Sequence, residues 1–129
     1  MSATKEIIHT TAAPAPIGPY NQAIKAGQTL YISGQIALSP QTGELVDGPV
    51  AYEARQVLDN LGAILAEAGY AFTDVVKTTI FLRDMGDFAA VNEVYGTYFT
   101  EQAPARETVA VAGLPKNVNV EISAIAWKA

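Results

Sequence analysis

The residues of this chain best placed to do chemistry lie near its C-terminus. In Arg106-Glu107-Thr108-Val109, extended backbone puts Arg106 and Thr108 on one side and Glu107 and Val109 on the other. Further on, Val118, Val120, Ile122, Ala124 and Ala126 share one apolar face, which leaves Glu121 mid-strand on the polar face with Asn119 and Ser123. Arginine's planar fork donates two parallel hydrogen bonds to a carboxylate, so Arg106 is a candidate anion clamp. A carboxylate can do acid/base work, which makes Glu121 a candidate for it. If the two strands form an antiparallel hairpin closing near Gly113-Leu114, Arg106 falls opposite Glu121. The same spacing makes a cross-strand ion pair, and structural ion pairs are the commoner outcome. Spacing alone leaves the choice open.

Other polar candidates are scattered. Tyr20 ends Ile17-Gly18-Pro19-Tyr20, a segment too rich in glycine and proline for a helix. Ser33-Gly34-Gln35 ends a strand, where a glycine lets a ligand approach the backbone. Asn92 falls inside a helical pattern. Residues of each of these kinds are, on their own, more often turn or surface residues than site residues. His9 is the sole histidine and lies in an N-terminal strand, so it reads as a packed or solvent-facing side chain rather than a base. With zero cysteines, disulfides, thiolate metal sites and a cysteine nucleophile are excluded together. No Walker loop, GxGxxG, HExxH or GxSxG is present. Any acid/base work must therefore come from carboxylates, hydroxyls, backbone groups or water.

The elements that must position these residues follow from periodicity. Lys5–Thr10 and Gln28–Ser33 read as short strands, and Val75–Leu82, Glu107–Val111 and Val118–Trp127 as further ones. Val50, Ala54, Val57, Leu58, Leu61, Leu65 and Ala68 recur at spacings of three and four. They predict a helix from about Pro49 to Ala68, stopped by Gly69. A second helix is predicted over Asp87–Phe99, with Phe88, Val91, Tyr95 and Tyr98 inward. The order is ββαβαββ, an α+β domain of five or six strands spanning residues 1–129. Two helices cover one face of such a sheet. Val75 and Phe81 point opposite to Val76, Ile80 and Leu82, so the second face is apolar as well and needs a cover. A homo-oligomer whose sheets pack together is the expectation.

Composition narrows the function class. Half of the 129 residues are hydrophobic and 16% are charged, which excludes disorder. The net charge is −5 with no lysine/arginine cluster, which argues against a nucleic-acid partner. No stretch approaches the roughly 18 apolar residues that cross a bilayer, and the N-terminal segment lacks the apolar run of a signal peptide. The expectation is a cytoplasmic protein without a membrane partner.

Taken in order, four segments resemble the reactive intermediate deaminase A family, the RidA or YjgF proteins. They are Ala15-Pro16-Ile17-Gly18-Pro19-Tyr20, then Ser33-Gly34-Gln35-Ile36, then Phe88-Ala89-Ala90-Val91-Asn92 with Tyr95, and the tail. The tail contributes Pro104-Ala105-Arg106, Leu114-Pro115-Lys116 and Val120-Glu121-Ile122. The resemblance implies a chorismate-mutase-like α+β fold, with two helices on one face of a sheet of about six strands. It also implies a homotrimer with ligand clefts between subunits and hydrolysis of 2-aminoacrylate and related imines to 2-oxo acids and ammonia. The family's carboxylate-binding arginine maps onto Arg106, its pocket glutamate onto Glu121, its tyrosine and serine onto Tyr20 and Ser33, and its helical asparagine onto Asn92.

On that reading a 2-imino acid is gripped at its carboxylate by Arg106, with Gly34 and Thr108 also in the binding site, while Glu121 positions or activates water. Neither cofactor nor metal is needed. Many relatives carry Ser-Cys after the arginine where this chain has Glu107-Thr108, so a thiol-dependent role is lost while a hydroxyl remains. Ala110 and Gly113 stand where relatives often have Glu and Arg, which suggests an altered interface contact. The competing readings are a non-catalytic regulatory protein binding small 2-oxo acids in the same cleft and, further off, an endoribonuclease or translation inhibitor.

Overall fold

The computed structural model describes residues 5–129. In chain order its elements are β1 (Lys5–Ile8), β2 (Ala23–Ala26), β3 (Thr29–Gln35), α1 (Val50–Ala68), β4 (Val75–Leu82), α2 (Phe88–Tyr98), β5 (Ala105–Ala110) and β6 (Val120–Trp127). The strands form one six-stranded sheet in the order β1-β2-β3-β6-β4-β5. Every neighbour is antiparallel except β4 and β5, which run parallel because α2 carries the chain back between them. This is the predicted α+β arrangement with one strand more, since the four residues of β2 are too short to stand out by alternation.

α1 buries Ala54, Val57, Leu58, Leu61, Ile64 and Leu65, the predicted stripe with Ile64 added. Gly69 ends the helix at φ 83°, and its amide donates to the last-turn carbonyls. α2 adds Val91, Val94 and Tyr95, and both helices join the same core as Leu30, Ile80, Leu82, Val120 and Ile122 from one sheet face. Truncating a fully buried side chain such as Leu58 to Ala would cost about 2–5 kcal/mol. No described helix is long and apolar enough to cross a membrane.

Two sequence expectations fail here. The hairpin of β5 with β6 does not form, because β6 inserts between β3 and β4 and leaves β5 on the far side of β4. The chain reaches that slot through the turn Pro115–Asn117, where Lys116 and Asn117 take φ of 55° and 57°. Arg106 therefore pairs with Thr78, and Glu121 with Phe81. The second failure is Val75. The β4–β6 register skips between Val75 and Lys77, so Val76 bulges outward, 48% exposed, and Val75 turns into the core with Ile80 and Leu82. Apolar side chains do lie on the second face, but they are other residues. The helix-free face exposes Ile7, Tyr31, Val109 and Trp127, which no described element covers.

Candidate functional site

Arg106 projects from the edge strand β5 toward α2. Residues 88, 92 and 95 lie one and two turns apart on that helix and present one face to the strand. Arg106 Nη1 donates to Asn92 Oδ1 at 2.8 Å. Its guanidinium carbon lies 4.8 Å from the Tyr95 ring centre and 5.7 Å from that of Phe88. No carboxylate lies within ion-pair distance among the described residues; the single salt bridge there joins Lys77 to Glu107 at 3.2 Å. The structural ion pair that spacing favoured is thus absent within the chain, and Arg106 keeps its charge uncompensated. Thr108 lines the same crevice with Ile80 and Val91, and its hydroxyl is buried without a hydrogen-bond partner. A buried orphan hydroxyl costs about 1–3 kcal/mol, which a ligand acceptor or donor would recover.

Glu121 belongs to a different cleft. It lies on the helix-free face of β6, over the point where the β3–β6 register breaks between Ile32 and Gln35. Gly34 sits in that break. A Cβ built there would stand 2.8 Å from the Glu121 carboxyl carbon, so only a residue without a side chain lets the glutamate lie down. Burial holds the Glu121 carboxyl above the usual carboxylate range. The Pro14–Ile17 segment and Tyr20 form the opposite wall, with Pro115 closing one end. Tyr20 is 46% exposed, and its hydroxyl accepts from the Ile17 amide at 3.3 Å. Ser33 stands beside this cleft without lining it, its hydroxyl donating to Asn21 O at 2.6 Å.

The structure therefore sorts the predicted site residues into two sets. Arg106, Asn92 and Thr108 share one crevice, and Glu121, Gly34 and Tyr20 share the other. Thr78 and Phe81, three apart on β4, pair with Arg106 and Glu121 respectively, so the two charged residues leave opposite faces of the sheet. One chain does not bring them together.

Several residues that shape these clefts were not picked out from sequence. Gln22 is buried, takes the Thr10 amide on its Oε1 and donates to the carbonyls of Thr10, Ala13 and Pro14, which staples the cleft wall. Glu53 is buried on α1 and accepts both the amide and the side-chain Nδ2 of Asn119, fixing the approach to β6. A polar residue on the apolar stripe of α1 was the available signal for Glu53. Gln22 carried none. His9 is exposed, and no cluster of metal-ligating side chains occurs among the described residues.

Comparison with known proteins places this geometry. The family profile described as endoribonuclease L-PSP matches residues 10–128. The chain belongs to this family, that of the RidA or YjgF proteins. A RutC family protein of Pyrococcus horikoshii is 57% identical over 96% of this chain and 98% of its own length. A Mus musculus protein named 2-iminobutanoate/2-iminopropanoate deaminase is 54% identical over 97% of this chain and 91% of its own. Among solved structures, E. coli TdcF with bound serine matches at a TM-score of 0.91 and 46% identity, covering 96% of this chain and 99% of that one. The RidA-family fold is thus shared over nearly the whole chain.

Proposed function

We propose that this chain is a cofactor-independent deaminase of small 2-imino and 2-enamino acids, such as 2-aminoacrylate and 2-iminobutanoate, which it hydrolyses to 2-oxo acids and ammonia. The observation that carries the reading is Arg106, held in place by an amide oxygen and two ring faces yet facing no carboxylate. Such an arginine is ready for a carboxylate supplied by a ligand. The mouse relative's name and the serine bound to TdcF, itself a small amino acid, point the same way.

The chemistry then needs water at the carbon beside that carboxylate. An enamine first takes a proton on carbon to become the imine. As the water oxygen bonds to the imine carbon, Glu121 accepts its proton and passes it to the nitrogen, to which the C=N electron pair moves. Collapse of the resulting carbinolamine returns the C=O bond and expels ammonia. Because Glu121 and Arg106 leave opposite faces of one sheet, we assign them to different copies: a homotrimer, its helix-free faces packed inward, brings Glu121 of one copy to Arg106 of the next. Tyr20, Gly34 and Ser33 come with Glu121, and Asn92 and Thr108 with Arg106.

The test is release of 2-oxobutanoate from 2-iminobutanoate generated in situ by a threonine dehydratase. The protein should accelerate release. Arg106→Ala, which forfeits two charge-assisted hydrogen bonds of about 1.5–3 kcal/mol each, should lower kcat/KM by at least about 100-fold. An unchanged release rate in the parent protein rejects the reading. Binding of 2-oxobutanoate without turnover would instead make the chain a carboxylate-binding regulator, a role the Arg106 crevice alone could serve.

A further inference from the structure

Arg106 has the unusual combination of a fixed position and an unspent charge, and its surroundings explain both. A carboxylate partner would fix a guanidinium but also neutralise it. Here the work falls to uncharged groups on α2. Asn92 takes a single N–H, and the rings of Tyr95 and Phe88 lie against the guanidinium at 4.8 and 5.7 Å. The nearer ring is itself fixed. The Tyr95 hydroxyl bonds the Thr78 hydroxyl at 2.7 Å in the core, where Tyr95 is 6% and Thr78 0% exposed. Thr78 is also the backbone neighbour of Arg106 in the β4–β5 ladder, so the strand that carries the arginine and the platform beneath it are tied at one point. On its other side Tyr95 stacks on Phe99 with ring centres 4.4 Å apart. Burial raises the Tyr95 phenol above its ordinary range, so it stays neutral and offers Arg106 a π face rather than a counter-charge.

We infer that Tyr95, anchored through Thr78, is a positioning residue for Arg106: its ring holds the guanidinium plane so that the free N–H edge meets the carboxylate of a small 2-oxo or 2-imino acid. The inference rests on the carboxylate-clamp reading of Arg106 and adds what sets the clamp's orientation. Tyr95 itself touches no substrate.

The experiment measures two things on the full chain, affinity for 2-oxobutanoate by calorimetry and rotation of the Arg106 guanidinium by nitrogen-15 NMR. In the parent protein the guanidinium should rotate slowly. Tyr95→Phe keeps the ring, and its affinity should stay within about threefold of the parent. Tyr95→Leu removes the ring and should weaken binding about 10-fold, with fast guanidinium rotation, for a lost cation–π contact at a partly buried site. Phe88→Leu, at a partly buried position on the margin of the core, should show the same effect at about threefold. Val94→Ala, a core truncation on α2 that leaves the Arg106 crevice intact, controls for lost stability and should not change affinity. A Tyr95→Leu protein that binds like the parent or like Val94→Ala overturns the inference. So does a Tyr95→Phe protein as impaired as Tyr95→Leu, or a freely rotating Arg106 in the parent. If instead 2-oxobutanoate fails to bind while Arg106 rotates slowly over Tyr95, the clamp reading fails and the platform stands.

Discussion

The two clefts keep a charge available by opposite means. Around Arg106 the chain supplies neutral partners on a rigid helix face: an amide oxygen, two rings and an orphan hydroxyl. Around Glu121 it supplies almost no partner at all, only shape, through a glycine that leaves room and a loop wall stapled by Gln22. The first arrangement preserves a cation by withholding carboxylates. The second raises the basicity of a carboxylate by withholding water. A clamp needs direction, which packed side chains give. A base needs reach and a tuned proton affinity, which an accommodating backbone and burial give. On the proposed mechanism each cleft supplies half of the reaction, and the two charged residues leave opposite faces of the sheet within one chain.

The sharpest way to break that comparison is to disable one half in each of two proteins. Arg106→Ala and Glu121→Gln should each be nearly inactive. Refolded together in equal amounts, every mixed cyclic trimer holds one intact site of its three, so activity should return to about a quarter of the parental level. Recovery requires that the two residues act from different copies. A mixture no more active than its components would show that one chain supplies both, against the opposite facing of the two residues in the sheet.

A smaller effect separates the halves by their kinetics. Gly34 has no positive φ to demand glycine; what demands it is the Glu121 side chain, which an added Cβ would displace. Gly34→Ala should therefore lower kcat by about 10- to 100-fold, the usual penalty for a misplaced catalytic group, while 2-oxobutanoate binds as before. Equal losses in kcat and in affinity would mean that the two clefts are not functionally separate.

Much of this was legible in the residues, and what was missed has a common cause. The helices and all strands but β2 show in local alternation, because the periods of helix and strand are written over a few residues each. Arg106 and Glu121 stand out for the same local reason, as charged residues on strands. Their relation does not, since it depends on β6 entering between β3 and β4, a choice made by contacts far apart in sequence. The hairpin expectation fails there. The Val76 bulge is equally invisible, because nothing in VVKTTIFL says which of two adjacent valines the register will skip. Tyr95 was legible as an inward residue but not as the partner of Thr78, seventeen positions away. Asn92 illustrates the limit best: a helical asparagine reads as solvated until a parallel strand sets an arginine beside it.

The smallest expected effect concerns stability and follows from the sign of the Glu121 shift. Its folded-state pKa is raised by burial, so the protonated form fits the fold better than the charged one. The associated stability is fully present below the ordinary carboxylate range and is lost as pH rises through the raised value. Wherever the side chain is charged, its burial is a cost to the fold. Glu121→Gln, neutral at all pH, should then melt higher than the parent at pH 7, by about 1–3 °C given the partial exposure of the group. The difference should close as pH falls toward about 4. Parental activity should decline over the same interval, since a protonated Glu121 cannot take the proton of water. Arg106→Ala should show no such crossover against the parent, because it leaves Glu121 in place. A Glu121→Gln protein that melts lower than the parent at pH 7 would mean that the carboxylate is paired by a neighbouring copy, and the base would have to be sought elsewhere.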